Sequence, residues 1–247
     1  MSERTLVPVE AVVFDWGGTL TPWHPIDLDR QWHAYAHAHA GHVDEADDLA
    51  SRIWEAEVAA WSAGRSEGAS ARLDEILARA GVLTDHEGHA PALAAYQEFW
   101  EPHTLTDPDV PPLWEGLRER GIKVGVLSNT IWTREYHRAV FERDGVLHLV
   151  DGDVYSSEIP WVKPHPEAFG AALRAVGVTD PGRAVYVGDR PFEDVHGAQA
   201  VGMRAVLVPH SDIPLDQQVA GIGHDDVEPD AVVRRLLDLL DVVDGWR

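Results

Sequence analysis

Four short apolar runs each end at a polar residue able to do chemistry. They are Val12-Val13-Phe14 before Asp15, Val124-Gly125-Val126-Leu127 before Ser128 and Asn129, Ile159-Pro160-Trp161-Val162 before Lys163, and Val185-Tyr186-Val187-Gly188 before Asp189. Short apolar runs bounded by polar and turn residues read as buried strands of a parallel sheet. Ligands bind such sheets outside the carboxyl ends of the strands, where strand order reverses. Two carboxylates, a hydroxyl and an ammonium delivered there make a site for an anion beside a metal ion.

The surrounding residues resemble a known family. Phe14-Asp15-Trp16-Gly17-Gly18-Thr19-Leu20 is similar to the first signature of the haloacid dehalogenase superfamily, and Ser128-Asn129-Thr130 to the second. Lys163-Pro164-His165-Pro166-Glu167-Ala168-Phe169 resembles the third, and Gly188-Asp189-Arg190-Pro191-Phe192-Glu193-Asp194 the fourth. The order of all four, over about residues 11–208, carries more weight than any one. The resemblance implies that Asp15 is a nucleophile forming an aspartyl-phosphate, which splits one hard displacement into two easier ones. Asp15, Asp189 and the backbone carbonyl of Gly17 are then hard oxygen ligands for Mg²⁺. Lys163 is a point charge for a phosphate oxygen, with the Ser128 hydroxyl and the Asn129 N–H as further donors. Asp194 is expected to orient Lys163 or a water on the cation. The chain has two lysines, Lys123 and Lys163, against eighteen arginines. A Lys retained in so Arg-biased a chain suits a compact charge rather than a planar fork.

One position departs from the family pattern. Phosphatases of the superfamily usually carry a second Asp two residues after the nucleophile, to protonate the leaving oxygen and then activate water; here that position is Gly17. A positioned acid–base group contributes about 10²–10⁴-fold. Three readings follow. The chain is a phosphohydrolase in which another group or a water held by the cation covers the role, slow on unactivated monoesters. Or the reaction is different: the phosphonatase mechanism needs a lysine in the insert, and residues 21–105 have none. A metal-independent 2-haloacid dehalogenase also lacks the second Asp, but not with an acidic fourth signature. Or the chain has lost efficient turnover and binds a phosphorylated ligand or a protein.

The elements that must position these residues alternate. Helices are predicted near 110–120, 133–143, 165–176 and 192–201, and strands near 122–127, 148–154, 183–187 and 204–208, as expected for α/β architecture with a Rossmann-like parallel-sheet core. A last helix is predicted over 229–242, with Val232, Leu236, Leu239 and Leu240 as its stripe, and a surface loop over 210–226. Between Leu20 and Leu105 the chain turns Ala-, Trp- and His-rich, with helical periodicity over 28–40, 44–62, 67–80 and 89–101 and breaks at Gly41, Gly64, Gly81 and Gly88. This reads as an all-helical cap over 21–105 inserted into a core of 1–20 and 106–247. Trp54, Val58 and Trp61 form one predicted apolar face, and Leu73, Ile76 and Leu77 another.

Composition narrows the partners. The 247 residues carry a formal charge of −22, which repels nucleic acid and anionic membranes, so phosphate binding must come from local design. There are no cysteines, hence neither disulfides nor thiolate sites, and the chain opens without a signal-like apolar core. A cytoplasmic protein acting on a small phosphorylated metabolite is expected, as a monomer or homodimer. Among fourteen histidines, His33 and His37 have a metal-compatible spacing with His39 and His42 nearby, but no cysteine completes a zinc site and polar histidines on a cap surface are the commoner case. His24, nine residues past Asp15, is either a substitute acid or a solvated linker residue. Trp16 and Trp23 line a pocket or simply pack. Arg190 and Glu193 are placed to contact each other, the insert or a partner.

Overall fold

A computed structural model describes residues 7–40, 42–67, 70–209 and 227–246. Six strands form one parallel sheet in the order β3-β2-β1-β4-β5-β6. They are β1 (Ala11–Phe14), β2 (Lys123–Ser128), β3 (Gly152–Tyr155), β4 (Ala184–Gly188), β5 (Arg204–Leu207) and β6 (Ala231–Val232). The chain builds outward from β1 on one side through β2 and β3, then returns past β1 to begin β4. Strand order therefore reverses between β1 and β4, whose registers align Phe14 with Val187.

Period-2 alternation assigns the side chains to two cores. Val12, Phe14, Val124, Val126, Val185, Val187 and Val206 point to one face. Ala11, Val13, Leu127, Val154, Ala184, Tyr186 and Ala205 point to the other. On the first face lie α5 (Val110–Glu119), α6 (Arg134–Arg143) and α9 (Leu239–Asp244); on the second lie α7 (Pro166–Val176) and the short α8 (Gly197–Ala200). Trp114 of α5 is fully buried against Phe14, ring centroids 6.0 Å apart. Burying a side chain of that size stabilises by roughly 2–3 kcal/mol or more.

Among the described residues between β1 and α5 the named elements are helical: α1 (Asp29–His39), α2 (Val43–Glu67), α3 (Leu73–Arg79), α4 (His89–Trp100) and a 3₁₀ turn at Glu101–His103. Trp32 and Tyr35 of α1 and Tyr96 of α4 are buried, Trp32 stacking on Tyr96 at 4.8 Å. Ile76 and Leu77 are buried as expected. The α2 face is not: Trp54 is 37% and Val58 46% exposed. Gly64 does not end α2, which runs to Glu67, and α3 starts only at Leu73. Gly41 lies outside the described residues, as does the loop expected over 210–226.

Four further expectations are corrected. The run 159–162 is no strand: a 3₁₀ turn at Ser156–Glu158 leads into loop, and Pro160 has no N–H for a ladder. The strand expected over 148–154 is β3 alone, with a 3₁₀ turn at Leu147–Leu149 before it. The helix expected over 192–201 is a π-helical turn (Pro191–His196) followed by α8. The helix expected over 229–242 is instead β6, a 3₁₀ turn at Leu236–Asp238 and α9. There the open edge of β5 takes Ala231 and Val232 into the sheet, Val206 opposite Ala231, and sheet pairing overrides the helical spacing of the leucines.

Candidate active site

The crevice where strand order reverses gathers the predicted residues. Asp15 follows β1, and its backbone N–H donates to Val187 O at 2.8 Å, fixing the end of β1 to β4. Asp189 follows β4. Lys163 enters from the loop between β3 and α7, and its Nζ donates to Asp15 Oδ1 at 2.7 Å, Asp194 Oδ1 at 2.7 Å and the Tyr186 hydroxyl at 2.9 Å. An ammonium has three N–H donors, so this set uses all of them.

Asp194 reaches Lys163 because of the π-helical turn. The N–H of Val195 bonds to Arg190 O five residues back, at 3.3 Å. Widening of this kind recurs at functional sites. It turns Asp194 back so that its Oδ2 accepts the Arg190 backbone N–H at 2.9 Å while Oδ1 takes Lys163. Arg190 and Glu193 meet each other at 3.8 Å.

Asn129 acts here through its side chain. Its Nδ2 donates to Lys163 O at 3.1 Å, and its Oδ1 accepts from Lys163 N at 2.8 Å. This paired bond ties the loop after β2 to the loop carrying Lys163. Ser128 ends β2, is buried, and sits at the same end of the sheet as Asp15.

The charge is unbalanced. Asp15, Asp189 and Asp194 bring carboxylate oxygens within 4.8 Å of one another, against the single ammonium of Lys163. Burial and then Asp15 and Asp194 push Asp189 well above the usual carboxylate range. Asp194 is also raised, by burial first, with Lys163 opposing. Burial alone would lower Lys163, but Asp15 and Asp194 more than reverse it and hold the ammonium well above its ordinary value. Asp189 Oδ1 accepts weakly from Thr19 Oγ1 at 3.4 Å, and its buried Oδ2 has no hydrogen-bond partner among the described residues. An orphaned buried carboxylate oxygen inside a three-carboxylate cluster fits a hard divalent cation, which takes oxygen ligands.

Two glycines shape the mouth. Gly18 has φ +84°, and a Cβ there would lie 2.8 Å from Asp189 Oδ2, so the turn needs glycine for both conformation and closeness. Gly17 is the exposed member of the run 11–21, and a Cβ on it would have nothing within 4 Å. Asp15, Lys163 and Asp189 are each at most 5% exposed.

Other expected participants lie elsewhere. His24 spends both ring nitrogens away from the carboxylates, Nδ1 on Pro22 O at 3.1 Å and Nε2 on His103 at 2.6 Å, so it bridges the two segments joining the helices to the sheet. Trp16 is a packing residue, edge-on to Trp132 at 5.6 Å and to His137 at 4.5 Å. Tyr186, which also donates to Leu127 O at 2.9 Å, escaped the sequence reading; its one signal was a phenol in an otherwise aliphatic strand.

Known proteins bear on this geometry. The family model described as haloacid dehalogenase-like hydrolase matches residues 9–202. A glyceraldehyde 3-phosphate phosphatase of Methanopyrus kandleri is 35% identical over 170 residues, 69% of this chain and 70% of that protein. A ribulose-1,5-bisphosphate 5-phosphatase of Halopiger xanaduensis is 28% identical over 94% of this chain and 98% of its own length. Among solved structures, a 2-haloacid dehalogenase from Pseudomonas syringae superposes with TM-score 0.66 at 24% identity, covering 97% of this chain and all of that one. An HAD phosphatase from Thermococcus onnurineus gives 0.65 at 23% identity, covering 96% and 99%. Those two likenesses share the fold, which therefore does not choose between the chemistries. No helix among the described residues is long and apolar enough to cross a membrane.

Proposed function

This chain belongs to the haloacid dehalogenase-like hydrolases, and from that premise we propose that it is a Mg²⁺-dependent phosphohydrolase of small phosphorylated metabolites, working through an aspartyl-phosphate on Asp15. The observation that carries this reading is the excess of buried carboxylate around Lys163, with Asp189 Oδ2 unpaired. A metal-free dehalogenase has no use for that third acid. The phosphatase names of the relatives point the same way, toward phosphorylated sugars of three to five carbons.

In this reading Asp15, Asp189 and the Gly17 carbonyl hold Mg²⁺, which supplies charge neutralisation for the attacking and transferring oxygens. The Asp15 carboxylate forms a bond to phosphorus as the ester P–O bond breaks. Water then cleaves the acyl phosphate, releasing inorganic phosphate and regenerating Asp15. Lys163 stays protonated, draws a phosphate oxygen toward Asp15, and is held by Asp194 and Tyr186. Ser128 and the Asn129 N–H complete the anion's donors. Residues 21–105 act as the cap that closes over the crevice and selects substrate, in a cytoplasmic protein.

Gly17 gives a second reading its footing: without the usual acid, the chain is a catalytically weak ligand-binding protein on the same fold. Phosphate release from glyceraldehyde 3-phosphate, ribulose bisphosphate, acetyl phosphate and an aryl phosphate, with and without Mg²⁺, separates the two. Mg²⁺-dependent turnover that vanishes in Asp15→Asn is the expected result. Absence of turnover across the panel with retained phosphate binding supports the second reading. Halide release from 2-haloacids that persists in chelator overturns both.

A further inference from the structure

We propose that His33, His37 and Asp47 form a second cation site, where α1 packs on α2 in the helical insert, for a borderline transition metal such as Zn²⁺. His33 and His37 lie four apart on α1, the spacing that stacks side chains on one helix face. Their rings lie with centroids 6.0 Å apart and inclined at 30°. Asp47 comes from α2, which packs along α1, and its Oδ1 lies 3.3 Å from His33 Nδ1 and 3.9 Å from His37 Nε2. One ligand atom from each of the three falls within a 4.8 Å span. Tetrahedral zinc with bonds of about 2.0–2.2 Å sets neighbouring ligand atoms roughly 3.3 Å apart. The His33 pair already meets that spacing. The His37 pair needs a few tenths of an ångström, and a side chain 49% exposed has room to move.

The donor set decides the ion. Two imidazoles and one carboxylate suit zinc, nickel or copper, whereas the Asp15, Asp189 and Asp194 cluster offers oxygen alone. Exposure leaves a fourth position for water. Acidic neighbours in the first turn of α2, Asp44 and Glu45, and a chain charge of −22 raise the local concentration of cations. The alternative is an ordinary surface contact between His33 and Asp47, which binds no metal. A bound ion would cross-link α1 to α2, bracing two helices of the insert by an amount that grows with free zinc.

The two sites can be addressed separately, so this assignment stands or falls apart from the reading of the catalytic crevice. Tag-free protein saturated with Mg²⁺ is titrated with Zn²⁺ by calorimetry and equilibrium dialysis, beside His33→Ala and His37→Ala. Both variants keep Asp15, Asp189 and Asp194, so Mg²⁺ binding by that cluster is the control for an intact fold. The expected result is one equivalent of zinc on the wild type and affinity lowered about tenfold or more in each variant, since loss of a direct ligand exceeds the loss from a supporting one. The melting midpoint should rise with zinc in the wild type alone. No zinc bound at saturating Mg²⁺, or zinc bound equally by all three proteins, overturns the site.

Discussion

In the proposed reaction, glycine at position 17 leaves the oxygen departing from phosphorus without a side-chain proton donor, yet the space for one is there. Nothing lies within 4 Å of a Cβ built on Gly17, and its backbone has no positive φ to oppose substitution. Gly17→Asp should therefore fold normally and raise kcat on unactivated alkyl phosphates by about 10²-fold, the lower end of what a positioned acid contributes. Acyl and aryl phosphates, whose leaving groups need no proton, should gain little. Equal gains on both classes would show that the new carboxylate acts through the cation rather than as an acid. Tyr186 makes a separate case. Its hydroxyl is the neutral one of three acceptors on Lys163 and is anchored by Leu127 O, on the strand that ends at Ser128. Hydrogen bonds to a charged group are worth about 1.5–3 kcal/mol. Tyr186→Phe should weaken inhibition by inorganic phosphate at least tenfold and raise KM, with a smaller effect on kcat. A fall in kcat alone, with phosphate inhibition intact, would exclude this positioning role.

At the scale of elements, the close approach of β4 to the π-helical turn governs whether Asp194 can reach Lys163. A Cβ on Gly188 would fall 2.5 Å from Asp194 Cβ, a separation no real side chain sustains. Gly188→Ala must drive Asp194 out and break its bonds to Lys163 and to the Arg190 N–H. A displacement near 1 Å in such a site costs about 10²-fold in rate, so the variant should lose that much kcat while circular dichroism stays unchanged. Undiminished turnover would remove Asp194 from the account. The residues of this contact stood in the sequence, as Gly188-Asp189 and Asp194 within one signature, but the contact did not. Helical periodicity carries no mark of an i→i−5 bond, so the π turn read as plain helix. Strands β1, β2 and β4 were legible because buried parallel strands are continuous apolar runs. Ile159–Val162 imitated one, although a proline in its middle argued for loop. The Ala231–Val232 edge strand was hidden for the opposite reason: two residues are too short to show a period. The function of Asn129 as a clamp on Lys163 depends on residues 34 apart in sequence, which no local pattern encodes.

Across the whole molecule the seam between insert and sheet is aromatic, and a buried histidine lies within it. Trp132, just past the loop after β2, donates its Nε1–H to the hydroxyl of Tyr96 on α4 at 2.9 Å and packs at 5.0 Å against Trp100. Beneath it His137 is fully buried, stacked on Tyr155 at 4.2 Å and edge-on to Trp16, with Nε2 3.2 Å from Thr130 Oγ1. Burial pushes this imidazole down to about 3 from the ordinary 6.5. Below pH 6.5 the unfolded chain takes a proton here that the native state refuses until about pH 3. The unfolded state then binds more protons, so stability falls as pH falls through that window. The slope is about 1.4 kcal/mol per pH unit, amounting to roughly 5 kcal/mol over the full interval. The raised Asp189 and Asp194 work against this, because each takes its proton in the native state before the unfolded chain does, so the His137 share is read from the difference between the wild type and His137→Leu. Urea unfolding at stepped pH between about 6.5 and 5 is expected to show the wild type losing about 2 kcal/mol relative to His137→Leu, one proton's worth. Parallel curves for the two proteins would mean that His137 is protonated in the fold after all, and that the seam is open to water.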